Sequence, residues 1–294
     1  MNTMQSLSFA EEADLNHIFF LAYPQTAALY QASERHYHNR QHLDSLLFQL
    51  DQVMDYVVKE GGLYALHVAR LALLYHDAYY QPLSPGFNES MSASLFEESY
   101  IALLDHQPEQ KRTDLLKYDI PNDVCTAIKC TARHTEEHPA QLPFSHKIVL
   151  DLDIREIGTD KFKWNKRLLM REAVATGEVD PIKYAEWCIN FCVKMLRKEC
   201  IYYTGLFHKL YEEKARANLR ADYNLMWRVL CGGARHHDLD VEVMVPTDRD
   251  LQLFHDLDPS NKQMAIERLL MWPRPMPWSY YERSATESDF KEDQ

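Results

Sequence analysis

An adjacent histidine and aspartate, His76-Asp77, close an apolar run that includes Leu73 and Leu74. Two titratable groups at the end of such a run are costly to bury unless something satisfies them, and a divalent ion satisfies both. Consecutive helical positions lie about 100° apart, so both side chains can reach one ion from a single turn. Two other stretches carry related chemistry. In Tyr37-His38-Asn39-Arg40-Gln41-His42 the two histidines are four apart, on one helix face if His38 lies within the first turn. His42 continues an apolar face through Leu46, Leu50, Val53 and Val57, so it points inward, where neutral imidazole suits a first-row divalent ion. Asp151-Leu152-Asp153 sits in the apolar run from Ile148 to Ile154, which does not welcome unpaired carboxylates. Each motif has an ordinary alternative: a histidine bonded by its neighbour, a satisfied core histidine, a buried hydrogen-bonded acid. Together they place His, His-Asp and Asp on separate core-facing segments.

Glu89 follows a loop with two prolines and a glycine and opens a helix. From there its carboxylate can reach a cleft to orient an attacking water or a second metal; alternatively it is an acid favoured by the helix N-terminus. Asn88 beside it is the expected N-cap and a candidate substrate contact. His134 is a candidate second-metal ligand or phosphate contact. A phosphate also requires basic partners, and Arg35, Arg40, Arg133 and Lys147 are the nearest in sequence to these motifs.

The elements that must position these groups read almost entirely as helices. Apolar residues at helical spacing predict helices over 11–33, with Pro24 as a break or kink, over 39–59, stopped by Gly61-Gly62, and over 63–79. Further helices are expected over 88–104, 122–134, behind the Asp180-Pro181 start signal to about Cys200, and from Leu206 to Asp222 or beyond. The run 148–154 is compatible with a strand, but its position between helices favours helix or turn. After Cys231-Gly232-Gly233 the alternation of Val241, Val243 and Val245 predicts one short strand, and Ser260-Asn261-Lys262-Gln263 is a capping box. The tail beyond Pro273 is expected to be partly disordered. The reading is an all-α chain with a helical domain over 1–222 and a mostly irregular extension over 223–294, which packs on the domain, gates the site or mediates a homodimer.

Composition narrows the function classes. The chain has 44 acidic against 32 basic residues, a net charge of −12, which argues against a nucleic-acid coat. No window approaches ~18 uninterrupted apolar residues. The N-terminus lacks the features of a secretory signal. The six cysteines contain no C-x-x-C pair and read as reduced thiols, so a cytoplasmic location is expected.

With these motifs in place, the chain resembles the HD superfamily of metal-dependent phosphohydrolases, whose signature is a His, a His-Asp pair and a later Asp. Residues 35–42, Tyr75-His76-Asp77-Ala78-Tyr79-Tyr80, Asn88-Glu89-Ser90-Met91-Ser92-Ala93, Thr131-Ala132-Arg133-His134, 150–154 and 214–219 look like an uncharacterised bacterial-type HD subfamily. The resemblance covers roughly residues 10–222. It implies an HD-type helical bundle with His42, His76, Asp77 and Asp153 as metal ligands, Asp153 being preferred to Asp151 as the second acid of the D-x-D pattern. One or two ions of Mn, Fe, Co or Zn would fit a mixed His/Asp site. The implied activity is hydrolysis of a phosphate mono- or diester of a nucleotide or other small phosphorylated metabolite. The H-N-x-x-H form is similar to that of cyclic-nucleotide phosphodiesterases, which makes His38 the candidate proton donor to the leaving oxygen. Asp77 or Glu89 would orient or deprotonate the water.

Two rival readings belong beside this one. An HD-fold di-iron oxygenase would recruit His106 and His134; a non-catalytic module would use the pocket to sense a nucleotide. His236-His237-Asp238 and His255-Asp256 lie in polar segments without matching partners. Where relatives carry an Arg-Glu-Tyr run, this chain has Arg171-Glu172-Ala173-Val174, a departure that bears on substrate choice.

Overall fold

The computed structural model describes residues 9–230, apart from 83, 110–111, 114–117, 137–140 and 176–180. Among the described residues all regular structure is helical. The helices are α1 (Phe9–Leu29), α2 (Arg40–Gln52), α3 (Met54–Tyr75), α4 (Phe87–Asp105), α5 (Ile120–Thr131), α6 (Phe144–Asp153), α7 (Phe162–Ala175), α8 (Pro181–Arg197) and α9 (Gly205–Leu230), with a 3-10 turn at Arg155–Gly158 after α6. None is long and apolar enough to cross a membrane. The expected strand at 241–245, the capping box at 260–263, Cys231 and the pairs at 236–238 and 255–256 lie outside the described residues.

The second half of α3 is the centre of the bundle. From Ala65 to Tyr75 every residue but Arg70 is buried. A helix apolar on all faces needs neighbours on all faces, and α1, α2, α4, α5 and α6 supply them. Its last turn therefore ends inside the protein, and that is where His76 stands.

Several boundaries differ from the sequence expectation. The predicted 39–59 helix divides at Val53 (φ −107°, ψ 14°), where α2 stops and α3 begins. Gly61-Gly62 does not terminate a helix; it kinks α3, with Gly62 at φ +76°, ψ 174°. Gly61 is small for a separate reason: a Cβ there would fall 2.6 Å from the Phe144 ring of α6 and 2.7 Å from the Ala65 methyl. Helix α1 runs through Pro24 to Leu29 and stops short of Ser33. Gly86 (φ +84°), not Asn88, caps α4. The run 148–154 lies in helix α6 apart from Ile154, its C-cap. Helix α5 ends at Thr131, leaving His134 in the turn that follows. Helix α9 continues past residue 222 to Leu230. The five described cysteines form no disulfide.

Candidate metal centre

Three helix ends build the centre. Asn39 caps α2, its side-chain oxygen accepting from the N–H groups of Gln41 (3.0 Å) and His42 (3.2 Å). This starts the helix so that His42 falls on its buried face. His76 is the C-cap of α3 and Asp77 follows it; Tyr30, fully buried, donates its hydroxyl to Leu74 O and accepts from Asp77 N–H. Arg35 secures the same turn from outside, donating to the carbonyls of Asp77 (2.7 Å), Ala78 (3.1 Å) and His38 (3.2 Å). Asp153 is the last residue of α6.

One ligand atom from each of His42, His76, Asp77 and Asp153 lies within 4.8 Å of all the others. His76 Nε2 is 2.8 Å from Asp77 Oδ2 and 3.4 Å from Asp153 Oδ1, and His42 Nε2 is 3.8 Å and 4.0 Å from the same two oxygens. Yet His42 Nε2, His76 Nε2 and Asp77 Oδ2 are buried without an aligned hydrogen-bond partner. Buried polar atoms are normally satisfied, and these three, converging with Asp153 Oδ1, would be satisfied together by a cation between them. The tautomers agree. His76 Nδ1 lies 2.9 Å from the carbonyl of Leu73, which can only accept, so Nδ1 carries a proton and Nε2 is the nitrogen that faces the cluster. The residues therefore fit a divalent ion.

The electrostatics distinguish the two histidines: without an ion, His76 is the charged partner of the carboxylates, and a cation would take the place of its Nε2 proton. Burial drives the His42 pKa down to about 4, outweighing Asp77, so this ring is a neutral donor. Burial disfavours charge on His76 as well, but Asp77 and Asp153 prevail and hold it well above the usual range; both carboxyls are pulled down in return.

The D-x-D pair divides its labour. Residues two apart on a helix point to different sides, and Asp151, completely buried, accepts the backbone N–H groups of Tyr203 (2.7 Å) and Thr204 (2.8 Å) just before α9. Asp153 faces the cluster, and its other oxygen meets His134 Nε2 at 2.8 Å. His134 is in turn fixed by Lys198, which donates to its carbonyl (2.7 Å).

A cavity of about 670 Å³ opens over this centre, bordered by His38, Asp77 and Asp153 at one end and by Lys166, Trp187 and Asp222 elsewhere. Asn88, Glu89, Arg133 and His134 also border it. The Asn88 side chain, however, is tied to the backbone N–H (2.9 Å) and carbonyl (2.8 Å) of Gln81, which holds the loop. Glu89 accepts the Gly86 N–H at 2.5 Å; burial, with Asp77 and Asp153 nearby, raises its pKa. Three expected phosphate contacts fall elsewhere. Arg35 is committed to carbonyls, Arg40 pairs with Asp44 (3.0 Å) and Tyr23 (2.8 Å) on the outer side of α2, and Lys147 is not among the cavity-lining residues. Proximity in sequence to a motif did not predict the direction of these long side chains. His106 is exposed at the end of α4 and is not part of the ligand group.

Sequence reasoning missed Glu172, which holds His38, and the Lys166–Asp222 ion pair in the cavity wall. The sequence drew attention to Glu172 only as part of the Arg171-Glu172-Ala173-Val174 run, and nothing in its local spacing marked it as a partner of His38. No known protein-family model, curated protein or solved structure matches this chain.

Proposed function

We propose that the chain is a metal-dependent phosphohydrolase of the HD type, acting on a phosphate mono- or diester such as a nucleotide or another small phosphorylated metabolite. The observation that carries the reading is the convergence of His42, His76, Asp77 and Asp153, with three of their inward atoms unsatisfied. Two imidazole nitrogens with two carboxylates suit Mn²⁺, Fe²⁺, Co²⁺ or Zn²⁺ better than Mg²⁺, which prefers more oxygens. Such an ion, when bound, lowers the pKa of a water and neutralises phosphoryl charge.

The chain's own groups supply the rest. Asp77 or Glu89 orients the water and takes its proton. His38, whose Nε2 lies 3.9 Å from Asp77 Oδ2, donates to the departing ester oxygen. Overall one water adds to phosphorus and the ester P–O bond breaks. The alcohol leaves with a proton from His38, and the proton released by the water returns to the histidine through solvent. Arg133, Lys166 and Lys194 are the basic side chains among the described residues that border the cavity; Lys166 is paired with Asp222, which leaves Arg133 and Lys194 to meet phosphate oxygens. The test is a screen of metal-analysed protein against nucleotides and simple phosphate esters beside Asp77→Ala. Metal-dependent phosphate release that disappears in the variant supports the reading; equal release from both proteins refutes it.

A further inference from the structure

We propose that Glu172 is a positioning residue for His38, its carboxylate deciding which ring nitrogen faces the metal centre. The inference rests on the phosphohydrolase reading for its kinetic consequence but not for its geometry. Glu172 comes from α7, far from the α2 motif in sequence, and is 1% exposed. A carboxylate so enclosed is strongly disfavoured unless its oxygens are bonded. Oε2 accepts both backbone N–H groups of the turn before α2, from Tyr37 (2.8 Å) and His38 (2.9 Å). Those two bonds fix the turn and would suffice for a purely structural role. Oε1 does something different: it contacts His38 Nδ1 directly.

A carboxylate accepts, so Nδ1 carries the proton in that contact. The opposite nitrogen, Nε2, is thereby turned toward Asp77 and the cavity. Tyr80 closes the remaining side, its ring 4.2 Å from the His38 ring at a tilt of 31°. Arg35 backs Tyr80 at 5.7 Å and also holds the His38 carbonyl. The ring is thus fixed at one nitrogen, on one face and through its backbone, and only Nε2 is presented to a ligand. A group that donates a proton at one point of a reaction gains most from such fixation.

The experiment compares two substrates that differ in their need for a proton donor. A 4-nitrophenyl phosphate leaves without help, whereas an alkyl phosphate does not. In the metal-loaded full chain, Glu172→Gln keeps size but cannot offer two acceptor oxygens. The expected result is a kcat loss of about 100-fold on the alkyl ester and under about fivefold on the aryl ester, with KM and metal content little changed. His38→Asn shows the same split, and the double variant loses little more than either alone. Equal losses on both esters, or additive losses in the double variant, overturn the assignment. If the wild type hydrolyses neither of these two monoesters, the phosphohydrolase reading is decided by the wider screen of nucleotides and esters. The positioning claim is then decided by ¹⁵N NMR of the His38 ring: a change of tautomer balance in Glu172→Gln supports it, and unchanged ring signals overturn it.

Discussion

At the residue scale, two side chains of the centre have one atom assigned by a neighbour and another left for a ligand. His76 gives Nδ1 to Leu73 O and keeps Nε2; Asp153 gives Oδ2 to His134 and keeps Oδ1. The two acids of the D-x-D motif consequently have different mutational signatures. Asp151→Ala leaves two N–H groups, those of Tyr203 and Thr204, without their acceptor and is expected to cost about 3 kcal/mol in urea unfolding. Asp153→Asn is expected to leave apo stability nearly intact while weakening metal binding at least about tenfold in a calorimetric titration. Inward-facing His and Asp were conspicuous on apolar segments of the sequence, and the choice of His42, His76, Asp77 and Asp153 as candidate ligands followed from the resemblance to HD phosphohydrolases. Glu172 was not legible. It was noticed only as part of a run lacking a tyrosine, since its partners Tyr37 and His38 are reached through tertiary packing that no local spacing encodes.

At the element scale, α3 and α6 meet closely, and the end of each carries candidate ligands. Gly61 permits that contact against Phe144. Gly61→Ala is expected to destabilise the chain by about 1–3 kcal/mol and to weaken metal binding with it, whereas alanine at an exposed small position leaves both unchanged. The glycine pair was visible in the sequence as an interruption, but a kink and a stop share that signal; packing against α6 decides between them. Val53 gave no signal at all, being an apolar residue in phase with its helix. His67, on the buried part of α3, supplies a pH test. Burial and the nearby Arg70 charge lower its pKa from 6.5 to about 4. The folded state thus keeps the ring neutral where the unfolded chain protonates it. Its contribution is intact above pH 6.5 and is lost as pH falls toward 4. Between pH 7 and pH 5 this amounts to about 2 kcal/mol, and His67→Leu is expected to show a correspondingly smaller drop in urea midpoint over that interval.

At the scale of the whole molecule, the helical bundle brings His42, His76-Asp77 and Asp153 from three separate segments to one point, with the two imidazoles buried and the two carboxylates partly exposed to the cavity. An ion that binds only the folded chain stabilises it by mass action, by about 2.7 kcal/mol at a free concentration 100 times its Kd. Chelation is therefore expected to lower Tm, and Mn²⁺ or Zn²⁺ to restore it. The fold class was legible because helical periodicity runs through almost every segment. The course of the cavity was not, because Lys166, Trp187 and Asp222 on its wall come from three helices with no shared motif. The central claim is the metal cage, and elemental analysis of the purified wild type and Asp77→Ala, each equilibrated with Mn²⁺ or Zn²⁺ and desalted, tests it most directly. The account predicts at least one tightly held ion per wild-type chain and its loss from a variant that remains helical and monodisperse. Equal metal content in the two proteins, or none in either, would contradict it.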